Sequence, residues 1–266
     1  MLLAFFALLF VSCSRSASQE PEDKTDPALD SIQPYDPNAT PDVGQIGVFN
    51  TPSPDGTVNS VILGETADMG QDYIDSITFL GDSTTYGLAY YDVVNDTQVW
   101  TPASGTLSLF SWSIATVVYD AGTDGETELT IAEAAAKKLP PYMVITLGVN
   151  GVATMDEESF IRDYTALVNA IKTASPNTKI ILNSIYPVTA QYDASDSGIT
   201  NAKIDAANLW IQRIATDTGC KYLDTQSILK DETGALPLDY SNDQALHLNT
   251  DTLNSVVSYI RTHGYL

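Results

Sequence analysis

Short runs of apolar residues alternate with amphipathic segments along residues 61–266. In four of the runs, apolar residues follow one another without the regular alternation of a half-exposed strand, which predicts buried strands. Because the strands are separated by helical patterns, the order predicts βαβ units and a parallel sheet. The predicted strands are Asp75–Leu80, Tyr142–Leu147, Thr178–Ile185 and Lys221–Leu223.

Three longer segments repeat apolar residues at intervals of three and four positions, which predicts amphipathic helices. Thr154 and Glu157 stand in the spacing of a capping box at the start of the first helix. Gly219 follows the second helix, where a glycine favours a C-terminal stop. The predicted helices are Met155–Ala174, Asn201–Thr218 and Thr250–Thr262.

The pattern is ambiguous between Val94 and Lys138. The stretches VWTPASGTLSL, SIATVVYD and TELTIAEAAAKK fit strand, hairpin and helix in more than one arrangement. We therefore predict no element boundaries there.

The N-terminal run MLLAFFALLFVSCS has the length of the apolar part of an export signal rather than of a membrane span. The stretch LFVSC resembles the lipobox of bacterial lipoproteins, which implies lipidation of Cys13; a plain cleaved signal peptide is the alternative. Residues 14–60 are rich in Pro, Asp, Ser and Thr, which predicts a disordered acidic tether. We thus expect a signal segment at 1–13, a tether at 14–60 and one domain at 61–266, in an exported, membrane-anchored surface protein.

The composition disfavours several classes of partner and of metal site. The 266 residues carry 12 Lys and Arg against 34 Asp and Glu, a formal charge of −22, which repels nucleic acid and anionic lipid head groups. With Cys13 as an anchor, only Cys220 remains, so neither a disulfide nor a multi-cysteine metal site is expected. The carboxylates do not have metal-ligand spacing, and we expect no cofactor.

Small polar motifs follow the first two predicted strands, namely Gly81-Asp82-Ser83 and Gly148-Val149-Asn150. Ligands of parallel sheets bind at the carboxyl ends of the strands, so both motifs are expected at one sheet edge. A serine at that edge can act as a nucleophile, because a following helix directs free N–H groups at a developing oxyanion. Alternatively, Ser83 only caps that helix.

A serine nucleophile needs a base, and the chain contains two histidines. His263 lies within the last four residues, a position typical of a solvated tail. His247 precedes the final helix in a loop that can reach the sheet edge. By elimination, His247 is the candidate base.

The three motifs together resemble a known family. Phe79-Leu80-Gly81-Asp82-Ser83 with Gly87, then Gly148-Val149-Asn150, then His247-Leu248-Asn249 are similar in order and spacing to the blocks of SGNH, or GDSL, serine esterases and acylhydrolases. The resemblance covers residues 74–266. It implies a three-layer α/β/α sandwich around a mainly parallel, flavodoxin-like sheet.

The resemblance also implies roles. Ser83 would be the nucleophile and His247 its base, and the oxyanion hole would combine the Ser83 N–H, the Asn150 side-chain amide and a glycine N–H. Gly105 is the first choice for that glycine, because it follows a plausible strand end, and Gly122 is the alternative.

Two positions depart from the family pattern. The aspartate that usually stands three residues before the histidine is replaced by Gln244, and Asp243 stands four before. Either a one-residue bulge lets Asp243 orient the histidine, or the Gln244 carbonyl does so, or serine and histidine act as a pair. The second departure is Gly151, which stands where the family carries Asp and implies a changed turn. Asp82 itself follows the family pattern, and we expect its side chain to accept hydrogen bonds from nearby backbone N–H groups.

These observations predict hydrolysis of an acyl ester through an acyl-Ser83 intermediate. For a surface protein, the expected partners are carbohydrates that carry O-acetyl or other short acyl esters, with lipid esters second. An acyltransferase at the same site and a non-catalytic binding module are the alternatives.

Overall fold

The computed structural model describes residues 50–52 and 58–266, with side chains from residue 60 onward. Cys13, the predicted signal segment and most of the predicted tether lie outside the described residues. The strands are β1 Asn50–Pro52, β2 Val58–Ser60, β3 Ile77–Gly81, β4 Val99–Trp100, β5 Thr116–Val118, β6 Glu128–Thr130, β7 Tyr142–Thr146, β8 Lys179–Asn183 and β9 Lys221–Leu223. The α-helices are α1 Gln71–Asp75, α2 Ser83–Tyr90, α3 Ile131–Lys138, α4 Glu157–Ala174, α5 Ala190–Asp193, α6 Asn201–Thr218 and α7 Thr250–Arg261. Single 3₁₀ turns occur at Asp96–Gln98, Leu109–Ser111, Thr225–Ile228 and Leu238–Tyr240.

The central sheet has five parallel strands in the order β4-β3-β7-β8-β9. β3 pairs with β7 along its full length, from Ile77 opposite Tyr142 to Gly81 opposite Thr146. The carboxyl ends of these two strands are therefore neighbours, as the sequence predicted. The predicted α/β class with a mainly parallel sheet is confirmed.

Successive residues of the strands contribute to two separate cores. Phe79 packs with α1, α2 and α7 on one face of the sheet, whereas Leu80 packs with α3, α4 and α6 on the other. Both side chains are at most 1 % exposed, which explains the unbroken apolar pattern of this strand. Helices on both faces of the sheet therefore form a three-layer α/β/α arrangement. In the described part of the chain, no helix is both long and apolar enough to cross a membrane.

The predicted elements are confirmed with small shifts at their ends. The strand predicted to reach Ile185 ends at Asn183, because the Ile185 N–H donates to Asn208 Oδ1 at 2.7 Å instead of continuing the ladder. The α6 helix has the predicted bounds, and Gly219 ends it with a φ of 68°.

The predicted capping box at α4 is wrong. Asp156, not Thr154, caps the helix, because its carboxylate accepts the Ser159 N–H at 2.8 Å. The cap thus lies immediately before the first helical residue, Glu157.

The end of the predicted tether contains regular structure. β1 and β2 pair in antiparallel orientation, with Asn50 opposite Ser60. Such a pair satisfies backbone hydrogen bonds locally and needs no apolar side chains, so composition alone does not reveal it. Residues 50–52 and 58–60 of the predicted tether are thus strands, and the boundary of the tether at residue 60 stays a prediction.

The ambiguous segment contains the edge strand β4, the antiparallel pair β5–β6 and the helix α3. Thr130 caps α3 by a complete capping box with Glu133. The Val118 N–H donates to the Thr101 carbonyl, which connects the pair to the end of β4.

Candidate active site

A glycine is required where β3 passes into α2. A Cβ atom at Gly81 would lie 2.1 Å from Thr85 Oγ1 and 2.2 Å from the Thr146 carbonyl oxygen. No side chain fits in that space, so Gly81 lets the first turn of α2 approach the end of β7. This contact brings the two predicted polar motifs together.

Asp82 caps α2, and Ser83 is the first helical residue. The Asp82 side chain accepts the Thr84 N–H at 3.0 Å. The alternative in which Ser83 is only the helix cap is thus wrong. Because Ser83 has no helical carbonyl four residues earlier, its N–H points out of the helix without an intrahelical partner.

The Asp82 carboxyl connects the two motifs. It is 1 % exposed and accepts the Thr84 hydroxyl at 2.8 Å and the backbone N–H of Gly148. Burial raises the pKa of Asp82 to about 6, although the hydrogen bonds from Thr84 and Gly148 and the nearby His247 act in the opposite direction. Asp82 is thus the backbone acceptor that the sequence predicted.

His247 lies in a loop closed by hydrogen bonds. Ser241 bridges to Leu248, and the Asn242 N–H donates to the His247 carbonyl at 3.0 Å. Inside the loop, Asp243 Oδ1 accepts the Ala245 N–H at 2.8 Å and the Ser241 hydroxyl at 2.8 Å. The carboxylate therefore stabilises the loop that carries the histidine.

Three side chains form a continuous line of hydrogen bonds. His247 Nε2 lies 2.9 Å from Ser83 Oγ, and His247 Nδ1 lies 2.6 Å from Asp243 Oδ2. With a proton on Nδ1, the ring donates to the carboxylate and accepts the serine hydroxyl proton at Nε2. This is the geometry of a serine nucleophile, a base and an orienting carboxylate.

A left-handed residue places Asp243 beside the histidine. Gln244 has a φ of 60°, so it forms the one-residue bulge that was one of the sequence alternatives. Its carbonyl accepts the Thr189 hydroxyl and the Gln191 side-chain amide, both at 2.7 Å. The structure brings Asp243, and not Gln244, to the His247 ring.

The Asp243 carboxyl carries the negative charge that a residue orienting a histidine needs. Partial burial raises the pKa of its carboxyl, but hydrogen bonds from the His247 ring, the Ala245 N–H and the Ser241 hydroxyl outweigh burial and leave the pKa below its ordinary value. The carboxylate is thus ionised at neutral pH.

Asn150 lies at the end of the second motif. Its Nδ2 donates to the Leu107 carbonyl at 3.1 Å, which leaves its second N–H for another acceptor. The following turn closes when the Gly151 N–H donates to the Gly148 carbonyl at 2.8 Å. A Cβ at Gly151 would lie 2.9 Å from Met155 Sδ and 3.3 Å from the Gly148 carbonyl oxygen, so a larger residue there requires the Met155 side chain to move.

The structure leaves neither predicted glycine N–H free for an oxyanion. The Gly105 N–H donates to the Pro102 carbonyl at 2.7 Å. The Gly122 N–H donates to Glu126 Oε1 at 2.8 Å. Of the donors predicted for the oxyanion, the Ser83 N–H and the second N–H of the Asn150 amide are therefore the ones without a partner in the described residues.

The other histidine has a different environment. His263 stacks on the Tyr259 ring with centroids 3.8 Å apart, and its Nδ1 lies 2.9 Å from the Tyr259 carbonyl. It packs on the end of α7 and does not enter the Ser83 pocket described below.

The sequence reasoning missed the residues that surround the nucleophile. A pocket of about 210 Å³ contains Ser83 and His247. The missed residues include three tyrosines and an asparagine in its wall, namely Tyr86, Tyr90, Tyr91 and Asn242. The signal was present, since Tyr86 and Tyr90 follow Ser83 at the three- and seven-residue spacing of one helix face.

A family model described as the GDSL-like Lipase/Acylhydrolase family matches residues 79–252, more than half of the 266 residues. The chain belongs to this GDSL-like family. The matched region includes Ser83, Asn150 and His247. A search of curated proteins finds no match to this chain.

Several solved structures are similar to this GDSL-like protein at low sequence identity. A Streptococcus pneumonia protein provisionally described as a platelet activating factor has a TM-score of 0.51 at 19% identity, covering 70% of this chain and 82% of its own. A DUF4886 family protein from Bacteroides uniformis has a TM-score of 0.50 at 14% identity, covering 71% and 86%. A catalytic mutant of an acetylxylan esterase from Geobacillus stearothermophilus has a TM-score of 0.45 at 14% identity, covering 77% and 98%.

Proposed function

We propose that this protein is a serine carboxylic-ester hydrolase, with O-acetyl or other short acyl esters on carbohydrate as substrates. The observation that carries the proposal is the line of hydrogen bonds from Ser83 Oγ through the His247 ring to Asp243. Its position at the carboxyl edge of a parallel sheet agrees with the usual location of ligands in such folds.

In the acylation step, Ser83 Oγ attacks the ester carbonyl while His247 Nε2 takes the hydroxyl proton. Asp243 accepts the Nδ1–H throughout, so it fixes the ring orientation and stabilises the imidazolium that forms. The tetrahedral intermediate collapses when His247 returns the proton to the leaving alkoxide. The products are the free alcohol and an acyl-Ser83 ester.

The negative charge of the intermediate needs preorganised donors. The Ser83 N–H at the start of α2 and the free N–H of the Asn150 amide serve this purpose. A neutral amide donates without titrating, so this stabilisation does not depend on pH.

Deacylation repeats the proton transfers with water. His247 Nε2 removes a proton from water, which attacks the acyl carbonyl, and then returns a proton to Ser83 Oγ. The side chains of His247 and Asp243 are 38% and 36% exposed, so water reaches the base directly.

The size of the pocket supports a small acyl group. The cavity at Ser83 has a volume of about 210 Å³, and its wall includes Tyr90, which is 65% exposed. A long acyl chain requires an extended buried apolar channel to be removed from water, because each exposed methylene loses about 0.8 kcal/mol of transfer free energy. A short acyl chain needs no such channel.

A colorimetric assay tests the proposal. Wild-type protein should hydrolyse p-nitrophenyl acetate, and Ser83→Ala should reduce kcat to background while the circular dichroism spectrum stays unchanged. Equal background rates for both proteins would support the non-catalytic binding alternative and reject the enzyme. Transfer of the acetyl group to an added sugar in preference to water would support the acyltransferase.

We also propose that the protein is exported and anchored to the membrane through lipid on Cys13. The apolar run before Cys13 and the lipobox-like LFVSC support this location. Mass analysis of membrane-fraction protein from the native host should show a lipid-modified Cys13. An unmodified mature terminus at another residue would reject the anchor.

A further inference from the structure

One face of α2 carries both the nucleophile and two exposed tyrosines. Ser83, Tyr86 and Tyr90 are separated by three and seven residues, so they project from the same side of the helix. Tyr86 is 43% exposed and Tyr90 is 65% exposed. At 1.5 Å of rise per residue, the stripe extends roughly 10 Å from Ser83, which is the span of a disaccharide.

The two tyrosine rings form a nearly continuous surface. Their centroids lie 5.9 Å apart with an interplanar angle of 37°. Tyr91 packs edge-on against Tyr90 at 4.9 Å, and its hydroxyl accepts a hydrogen bond from Asn242 Nδ2 at 2.5 Å. Because Asn242 directly precedes Asp243, the loop that orients the histidine also holds this aromatic surface.

The tyrosines separate two concave regions. Tyr86 and Tyr90 line the pocket that contains Ser83 and also line a second, larger groove of about 470 Å³. A ligand that leaves the Ser83 pocket across these rings therefore enters this groove. The acidic residues that line it are Asp92, Asp96 and Glu126.

The chemistry of this path matches a neutral sugar chain. A tyrosine ring offers an apolar face for the C–H face of a pyranose and a hydroxyl for its polar edge. Carboxylates accept hydrogen bonds from sugar hydroxyls, whereas a fatty acyl chain in contact with them would leave polar groups without partners. The three carboxylates and the net charge of −22 disfavour anionic glycans.

We propose that Tyr86, Tyr90 and the acidic groove form a binding subsite for the neutral sugar units that adjoin the acylated sugar. This inference rests on the proposed ester hydrolysis at Ser83 and assigns its alcohol part: an acylated neutral oligosaccharide of at least two or three units.

Binding to an inactive variant tests the subsite without relying on catalysis. Isothermal titration calorimetry with partially O-acetylated xylo-oligosaccharides should show saturable binding to Ser83→Ala. Adding Tyr90→Ala to that variant should weaken binding at least 10-fold, and Tyr90→Phe should restore most of it because the ring is retained. Tyr240→Ala removes another partly exposed tyrosine, which lines neither region, and should change Kd less than 2-fold.

Kinetics provide a second measurement. Tyr90→Ala should lower kcat/KM for the acetylated oligosaccharide at least 10-fold more than kcat/KM for p-nitrophenyl acetate. Acetylated oligogalacturonides, which are anionic, should be poorer substrates than neutral ones.

The outcomes distinguish the two proposals. Ser83-dependent hydrolysis of p-nitrophenyl acetate without oligosaccharide binding would overturn the subsite and keep the esterase. Oligosaccharide binding without Ser83-dependent hydrolysis would keep the subsite and overturn the esterase. A Tyr90→Ala effect limited to p-nitrophenyl palmitate would assign the groove to an acyl chain and overturn the sugar subsite.

Discussion

Asp243 Oδ2 lies 2.6 Å from Nδ1 of His247, with Asp243 four positions before His247 in the sequence. The left-handed backbone of Gln244, with a φ of 60°, absorbs the additional residue. The same carboxylate accepts three backbone N–H groups of the loop, from Ala245, Leu246 and His247. Asp243 therefore both orients the histidine and maintains the loop that carries it.

This relationship predicts unequal effects of two neighbouring substitutions. Asp243→Asn should lower kcat about 100-fold or more, because the amide does not stabilise the imidazolium and its N–H₂ group favours the wrong tautomer. Gln244→Ala should stay within about 2-fold of wild type, because the contacts of Gln244 with Thr189 and Gln191 use its backbone carbonyl. Steady-state kinetics with p-nitrophenyl acetate measure both; a larger loss for Gln244→Ala would contradict the role of Asp243.

The Asn150 amide is predicted to stabilise the oxyanion. Asn150→Ala should lower kcat by about 10²–10³-fold with little change in KM, because the lost donor acts mainly in the transition state. Part of any loss could come from the broken hydrogen bond to the Leu107 carbonyl. Asn150→Asp loses the same hydrogen bond, because a carboxylate cannot donate to the Leu107 carbonyl, and it also brings a negative charge to the oxyanion. Its activity should therefore be no higher than that of Asn150→Ala, and activity near that of wild type would contradict the oxyanion role.

The fold was largely predictable because its strands are buried on both faces. Phe79 and Leu80 face opposite cores, so the run has no polar position, and the length of the run then indicates a strand. The α6 helix was predicted to the residue because its apolar spacing and Gly219 indicate the same end. Local and tertiary preferences agree in these elements.

Elements that depend on tertiary contacts were not predictable. β4 has two residues, Val99 and Trp100, and within the described residues its strand partner is β3 alone, so no periodicity can develop within it. The β5–β6 pair is likewise short, and its side chains lack a clear alternation. Long, regular packing produces a sequence pattern, whereas two- and three-residue strands do not.

Within the site, the sequence identified the reacting side chains but not the residue that orients the histidine or the glycine that completes the oxyanion hole. Ser83, Asn150 and His247 follow from strand ends, from elimination and from family resemblance. Asp243 reaches the histidine because the backbone of Gln244 is left-handed, with a positive φ. A glutamine does not indicate that conformation in a sequence, so the choice of Asp243 could not be predicted. Likewise, the engagement of the Gly105 N–H by Pro102 depends on a turn that composition does not reveal.

Close packing at the motif glycine predicts a large loss of stability. Gly81→Ala should lower the free energy of unfolding by about 3 kcal/mol or more, since its Cβ would overlap Thr85 Oγ1 and the Thr146 carbonyl oxygen. Gly64→Ala is the matched control, because no heavy atom lies within 4 Å of its added Cβ. Urea denaturation measures both; similar stability of the two variants would contradict the close contact.

The buried Asp82 carboxyl predicts a pH dependence of stability with a defined sign. Its pKa is raised to about 6 in the folded protein from an ordinary 3.8, so the folded state holds this proton more tightly than the unfolded state. Stability contributed by the protonated carboxyl is therefore present below about pH 4 and is lost as pH rises through 6. The amide of Asp82→Asn does not titrate, so the stability of this variant should not fall as pH rises through 6 for this reason.

Urea denaturation at several values between pH 4.5 and 7.5 tests this dependence. Asp82→Asn should be less stable than wild type at the lower end, because an amide offers one acceptor oxygen and leaves an N–H₂ group facing a backbone donor. The stability advantage of wild type should shrink by about 2 kcal/mol as pH rises across this range. Asp124→Asn, the same substitution at an exposed position, controls for net charge. A wild-type advantage that grows with pH would show that the Asp82 pKa is lowered, not raised, by folding.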